Sequence, residues 1–193
     1  AATQPILDAL YRDPSEYVRR SVANHLNDLS RLDPGLTMAT AARWLDTPDA
    51  NTARVVRHAL RTLIKQGHPE ALHLLGFPPA SDLDVDGPHL PEPSVAIGEK
   101  LPFHVTIENR GDAPAPLAID YVIHYRKASG KLAPKVFKLT TATIAPGAAV
   151  NLQRAHPFKL VTTRVLYPGE HAIELQINGE RLGRACFCLI EPA

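Results

Sequence analysis

"GFPPASDLDVDGPHLPEPS", residues 76–94, separates two parts of the chain whose apolar residues repeat with different periods. It holds five prolines, two glycines and four acids, a composition that interrupts regular structure and marks a domain boundary. We therefore expect a helical domain over residues 1–77, a proline-rich linker over 78–93 and a β domain over 94–193.

Before the boundary the repeat is helical. Ile6, Leu7 and Leu10 predict a short helix that stops before Asp13-Pro14, because a residue preceding proline is biased out of the helical region. In "EYVRRSVANHLNDLS", residues 16–30, Val18, Val22, Leu26 and Leu29 fall on one face, with Asp13 or Ser15 as cap. Asp33-Pro34-Gly35 ends that helix. A third runs from about Thr37 to Leu45, a fourth from Asn51 to Gln66 with Gly67 as C-cap, and a short fifth over "HPEALHLL" between Pro69 and Gly76. Short helices joined by Asp-Pro turns are the parts of stacked helical repeats. Such an array needs about three repeats to bury a continuous core, so five helices opening without a methionine read as the C-terminal part of something longer.

Beyond the boundary the period is two. Phe103, Val105 and Ile107 alternate with His104, Thr106 and Glu108; Ile119, Tyr121, Ile123 and Tyr125 alternate with polar or smaller residues, as do Ile173, Leu175 and Ile177. Turn signals at "NRGD", "ASGK", "APGA", "YPGE" and "NG" give about seven strands, the pattern of a sandwich. "LYPGEHAIELQI" resembles the approach to a late strand in immunoglobulin-like domains, without the Cys-Trp-Cys framework of antibodies. The fold expected is thus two domains, an all-α solenoid of helical repeats followed by an all-β immunoglobulin-like sandwich.

The 193 residues are 45% hydrophobic, ample for a core. No run approaches the roughly 20 apolar residues of a membrane span, and "AATQPILDAL" lacks the features of a signal peptide, so a cytoplasmic, non-membrane protein is expected. Cys186 and Cys188 would share one strand face, read as buried free thiols with no metal site. A net charge of +1 supplies no global attraction to nucleic acid. Local pattern must carry any such function.

That pattern exists on the polar helix faces. Tyr17, Arg20, Ser21, Asn24, Asn27, Asp28 and Arg31 lie opposite the apolar stripe of the second helix, and Arg54, Arg57, His58, Arg61 and Lys65 share one side of the fourth. A surface helix usually interleaves charge signs for pairing; the fourth carries no acid there, which favours phosphate binding over a merely solvated face. Asp28 either stabilises a positive charge developing on a sugar or pairs with Arg31. His25 reads as a satisfied core histidine, and Trp44 as packing against a neighbouring helix or stacking on a base. In "YRKASGKLAPKVFK", residues 125–138, Arg126, Lys127, Lys131, Lys135 and Lys138 form either a second phosphate clamp or a solvated hairpin. Arg110-Gly111-Asp112 reads as a strand-connecting turn rather than an adhesion motif.

"YVRRSVANHLNDLSRLDP" and "ARVVRHALRTLIKQGHPEALHLLGF" resemble the C-terminal repeats of the DNA alkylation repair family, the HEAT-like-repeat alkylpurine DNA glycosylases, and within it the AlkC branch. The resemblance covers about residues 15–77, and some members of that branch carry an immunoglobulin-like domain after the repeats. It implies DNA repair: a hydrolase that excises cationic alkylated purines such as 3-methyladenine from double-stranded DNA, as a monomer in the bacterial cytosol, without a metal or organic cofactor. Carried onto this chain, it makes Asp28 the candidate catalytic carboxylate. Arg20, Asn24, Arg54, Arg57, His58, Arg61, Lys65, Arg126, Lys127 and Lys131 become candidate DNA-binding residues. Residues 1–193 alone are expected to lack excision activity. Two further readings use the same faces: a non-enzymatic scaffold for a protein partner, and a family member that binds DNA structures without excising a base.

Overall fold

The computed structural model describes residues 3–160, 162 and 165–192. The chain divides into two compact units, Ala1–Pro78 and Pro79–Ala193.

The first unit holds α1 (Gln4–Leu10), α2 (Glu16–Leu29), α3 (Pro34–Asp46), α4 (Thr52–Ala59), α5 (Arg61–Gln66) and α6 (Pro69–Leu74). Leu7, Tyr11, Val22, Leu26, Trp44, Val56, Leu60 and Leu63 form its core, with Val18 and Leu29 packed at the edge. Asp33 does more than follow α2. Its Oδ1 accepts the Leu36 N–H (2.9 Å), capping α3 with Pro34 in the first turn. The Asp49 carboxylate accepts from the N–H groups of Asn51 and Thr52 and from the Thr52 hydroxyl, whose oxygen in turn accepts from Asp49 N–H. These bonds, the Thr52 hydroxyl first, hold the Asp49 carboxyl below its usual range. Trp44 is buried, stacked on Tyr11 with ring centroids 4.6 Å apart, and donates from Nε1 to Asp8 Oδ1 (2.7 Å). Its role is packing.

The expected fourth helix is two helices. At Leu60 the backbone turns to φ −90°, ψ 3°. Thr62 N–H, which an unbroken helix would aim at the His58 carbonyl, donates instead to Asn27 Oδ1 (3.1 Å), while the Arg61 guanidinium donates to the His58 carbonyl (2.8 Å). Two side chains thus replace one rung of the ladder. Asn27, expected on the polar face, is consequently only 1% exposed.

The second unit holds β1 (Leu83–His89), β2 (Ser94–Ala96), β3 (Lys100–Asn109), β4 (Ala115–Arg126), β5 (Leu132–Ile144), β6 (Ala149–Pro157), β7 (Gly169–Ile177) and β8 (Glu180–Ile190). They form a three-stranded sheet, β1-β3-β6, and a five-stranded sheet, β2-β8-β7-β4-β5. Phe103, Val105 and Ile107 of one sheet share a core with Ile119, Tyr121, Ile123, Ile173, Leu175, Phe187 and Leu189 of the other. His156 is buried between the hydroxyls of Tyr121 (3.0 Å to Nδ1) and Tyr125 (2.7 Å to Nε2). Burial raises the Tyr121 pKa and lowers that of His171, which is also fully enclosed. β1 occupies sequence expected to be linker: Leu83 and Val85 alternate with Asp84 and Asp86, and the strand pairs with β3. Gly183 of β8 approaches β1 so closely that a Cβ there would lie 2.1 Å from the Gly87 carbonyl oxygen.

These elements overturn the expected all-α solenoid of HEAT-like repeats followed by an immunoglobulin-like sandwich. About 29% of the described residues are helical and about 40% are in strands; the helices are six and short, and two sheets dominate. Helix-period apolar spacing reports one buried face per helix, and it does not reveal that the fourth stretch breaks at Leu60 or that residues 83–89 pair as a strand.

Two smaller expectations also change. His25 is exposed and bonded through Nε2 to Thr3 Oγ1 (3.0 Å), rather than in the core. Cys186 and Cys188 are free thiols but exposed, on the face of β8 opposite buried Phe187 and Leu189. Among the described residues, no helix is long and apolar enough to cross a membrane and no group of three or more metal-ligating side chains converges.

Candidate nucleic-acid interface

α2 packs against α4, and between them lies a groove of about 260 Å³ bordered by the flank of α2 between its apolar stripe and its exposed polar face. Glu16, Arg19, Arg20 and Ala23 line it from α2; Asn51, Arg54, Val55 and His58 line it from the α4 side. The spacings explain the gathering: Glu16, Arg19, Arg20 and Ala23 recur at three and four residues, as do Asn51, Arg54, Val55 and His58.

The charges there are unevenly neutralised. Arg54 pairs with Glu16, so the acid missing from the fourth-helix sequence stands on the neighbouring helix. Arg19 spends part of its fork on the carbonyls of Asp13 (2.6 Å) and Pro14 (2.9 Å), which fixes its stem. Arg20 is exposed and has no carboxylate partner among the described residues. His58 Nε2 lies 2.9 Å from Asn24 Oδ1. Burial, and then the charges of Arg61, Arg20 and Arg54, hold its pKa below the usual imidazole value. The guanidiniums of Arg61, Arg20 and Arg54 thus add a positive potential around the imidazole.

The sequence-predicted residues divide. Arg20, Arg54 and His58 line the groove, Asn24 joins it through His58, and Arg61 acts on His58 through its charge and its bond to the His58 carbonyl. Arg57 and Lys65 are exposed on α4 and α5 but do not line it. Asp28 is exposed one turn beyond Asn24, outside the lining; neither Arg31 nor any other cation pairs with it among the described residues. Glu16, Arg19 and Asn51 were not singled out by the sequence. The doublet Arg19-Arg20 was the available signal for one of them, but the partner of Glu16 depends on which helices pack together.

In the second unit, Arg126, Lys127 and Lys131 flank the β4–β5 turn. Lys127 N–H donates to the Lys131 carbonyl and Gly130 N–H to the Lys127 carbonyl, both at 2.9 Å, so the two ammonium stems leave a closed turn. Arg126 lies across Gly169: a Cβ there would be 3.2 Å from its Cδ and Nε. Lys135 places its Nζ 5.5 Å from the Phe137 ring centroid. Arg110 of the Arg-Gly-Asp triplet is tied to Asp84 and Glu108.

A sequence-family model described as "Uncharacterised protein YhaZ, C-terminal Ig-like domain" matches residues 84–191. The chain is 38% identical over 176 residues to the "Uncharacterized protein YhaZ" of Bacillus subtilis (strain 168), covering 91% of this chain and 48% of that protein. A solved structure, the Pseudomonas fluorescens alkylpurine DNA glycosylase AlkC bound to DNA containing an abasic site analog, superposes with a TM-score of 0.92 at 40% identity. The superposition covers 97% of this chain and 52% of AlkC. The chain therefore spans about half the length of the relatives it matches.

Proposed function

Since the chain belongs to the family of the YhaZ C-terminal Ig-like domain, and AlkC, solved on DNA, superposes on nearly all of it, we propose that it is the DNA-binding portion of an alkylpurine DNA glycosylase that acts in DNA repair. The observation that carries the reading is the α2/α4 groove, where Arg19, Arg20 and Arg54 surround His58 and a single carboxylate, Glu16, is already paired. Guanidinium forks suit phosphate oxygens, and such contacts position a duplex without reading its sequence. Arg57, Arg61 and Lys65 extend the cationic side of the helices, and Arg126, Lys127 and Lys131 supply a second set of phosphate contacts.

In this reading the substrate is double-stranded DNA carrying a cationic alkylated purine such as 3-methyladenine. The bond between the sugar C1′ and the base nitrogen breaks with its electron pair going to the base, which leaves neutral. Water then adds to the oxocarbenium-like sugar and gives its proton to solvent. Asp28, a carboxylate without a cationic partner among the described residues, stabilises the positive sugar. It is exposed, so its contribution is that of a charge in water-like surroundings, about 1 kcal/mol at close range. Asp28→Asn is accordingly expected to lower release of 3-methyladenine about fivefold, measured on the protein at its natural length; an unchanged rate removes Asp28 from the mechanism.

The binding half has a separate test. Duplex affinity is expected to fall linearly on a log–log plot against salt, and Arg20→Gln to weaken binding to all sequences alike while reducing that slope by about 1. Affinity insensitive to salt would overturn the phosphate assignment.

A further inference from the structure

The groove's histidine has a property that a simple cationic contact lacks. His58 stands where α2 and α4 meet, with Arg20 facing it from α2, Arg54 from its own helix and Arg61 from α5; Glu16, the acid in the lining, is engaged by Arg54. With Asn24 Oδ1 as acceptor at 2.9 Å, Nε2 carries the hydrogen of the neutral ring and Nδ1 keeps its lone pair. A phosphate oxygen entering the groove that His58 lines offsets the field of the guanidiniums: Arg20 and Arg54, which disfavoured a proton on the ring, then face an anion that favours one. Resting on the duplex-phosphate reading above, we propose that His58 takes up a proton when a backbone phosphate occupies the α2/α4 groove, and that Asn24 is the positioning residue that holds the imidazole for it. Phosphate binding at this site is therefore proton-linked, and the protonated ring adds a charge-assisted bond that the neutral ring cannot make.

The sign follows from the two states. The free imidazole sits below its usual value, held there first by burial and then by Arg61, Arg20 and Arg54; the phosphate-bound imidazole sits higher. Affinity is greatest at acidic pH and falls as pH rises from the free towards the bound value, by about tenfold for each unit separating them.

The experiment measures duplex affinity of the full chain from pH 5.5 to 8.5 at fixed ionic strength, for the wild type, His58→Gln and Asn24→Asp, with the His58 ring followed by NMR with and without duplex. The wild type is expected to lose affinity with rising pH, and His58→Gln to flatten the profile while the salt dependence persists. Asn24→Asp places a carboxylate beside the ring and is expected to raise the pKa of free His58, shrinking the proton uptake on binding. Asn24→Ala, which adds no charge, is expected to shift the His58 ring resonances and their tautomer balance; unchanged ring signals would overturn the positioning role of Asn24. Salt-dependent binding with the same pH profile in wild type and His58→Gln would overturn the proton linkage and leave the duplex reading standing; absence of salt-dependent binding would overturn both.

Discussion

Trp44→Ala is expected to destabilise the helical unit by about 3–5 kcal/mol, the range for removing a large buried aromatic. Trp44 is 2% exposed and lies parallel to Tyr11, with an interplanar angle of 1°. Its deletion leaves a cavity beside that ring and removes the Nε1–H donor from Asp8. Asp8 would not be stranded, because Arg43 Nη2 remains at 2.8 Å from both of its oxygens. The loss is therefore mainly one of packing. Trp44→Phe is a milder truncation: it keeps a ring beside Tyr11, removes the indole donor together with the volume of the second ring, and should cost less than Trp44→Ala, about 1–2 kcal/mol. Far-ultraviolet circular dichroism in a urea titration reads both, since the sole tryptophan is itself replaced. Equal midpoints for Trp44→Ala and wild type would refute the packing role.

Gly183→Ala is expected to disrupt the β unit, at a cost of about 3 kcal/mol. Two independent problems coincide there. The residue has φ +58°, which an L side chain rarely adopts, and its Cβ would lie 2.1 Å from the Gly87 carbonyl oxygen and 3.1 Å from the Gly87 carbonyl carbon. The obstacle is backbone, so no side-chain rotation relieves it; β1 would have to move away from β8. Gly98→Ala is the control: it also has positive φ (+102°), yet a Cβ there would meet nothing within 4 Å. Its cost is the conformational strain alone, about 1 kcal/mol. If the two variants melt together in calorimetry, the contact with Gly87 has no energetic weight.

Much of the local structure was legible because single residues set it. Gly67 ends α5 at φ 75°, Pro69 opens α6, and Phe103, Val105 and Ile107 are buried where period-two spacing puts them. The illegible parts depend on distant partners. Nothing in "RHALRTL" announces a break at Leu60, because the group that accepts Thr62 N–H is Asn27, thirty-five residues earlier. That same bond draws Asn27 out of the polar face on which its helical position places it. The acids of "SDLDVDG" masked a strand whose alternation was present, since proline and glycine on either side pointed to a linker. The solenoid expectation failed for a related reason: periodicity locates a helix face but carries no information on how many helices stack or what they stack against. At the candidate site, Arg20, Arg54 and His58 could be named from sequence, whereas Glu16 as the counter-ion of Arg54 required knowing that α2 packs on α4.

The Asn27 bond to Thr62 has a mechanical meaning as well. It joins the last turn of α2 to the first turn of α5, just past the residues that line one wall of the groove. The two walls are thereby latched, and Arg20 cannot part from His58 by a sliding of α2 without breaking a half-buried bond. The cationic groove is thus preorganised: its backbone is ordered when the unit folds, and a ligand that enters need immobilise only the guanidinium tips.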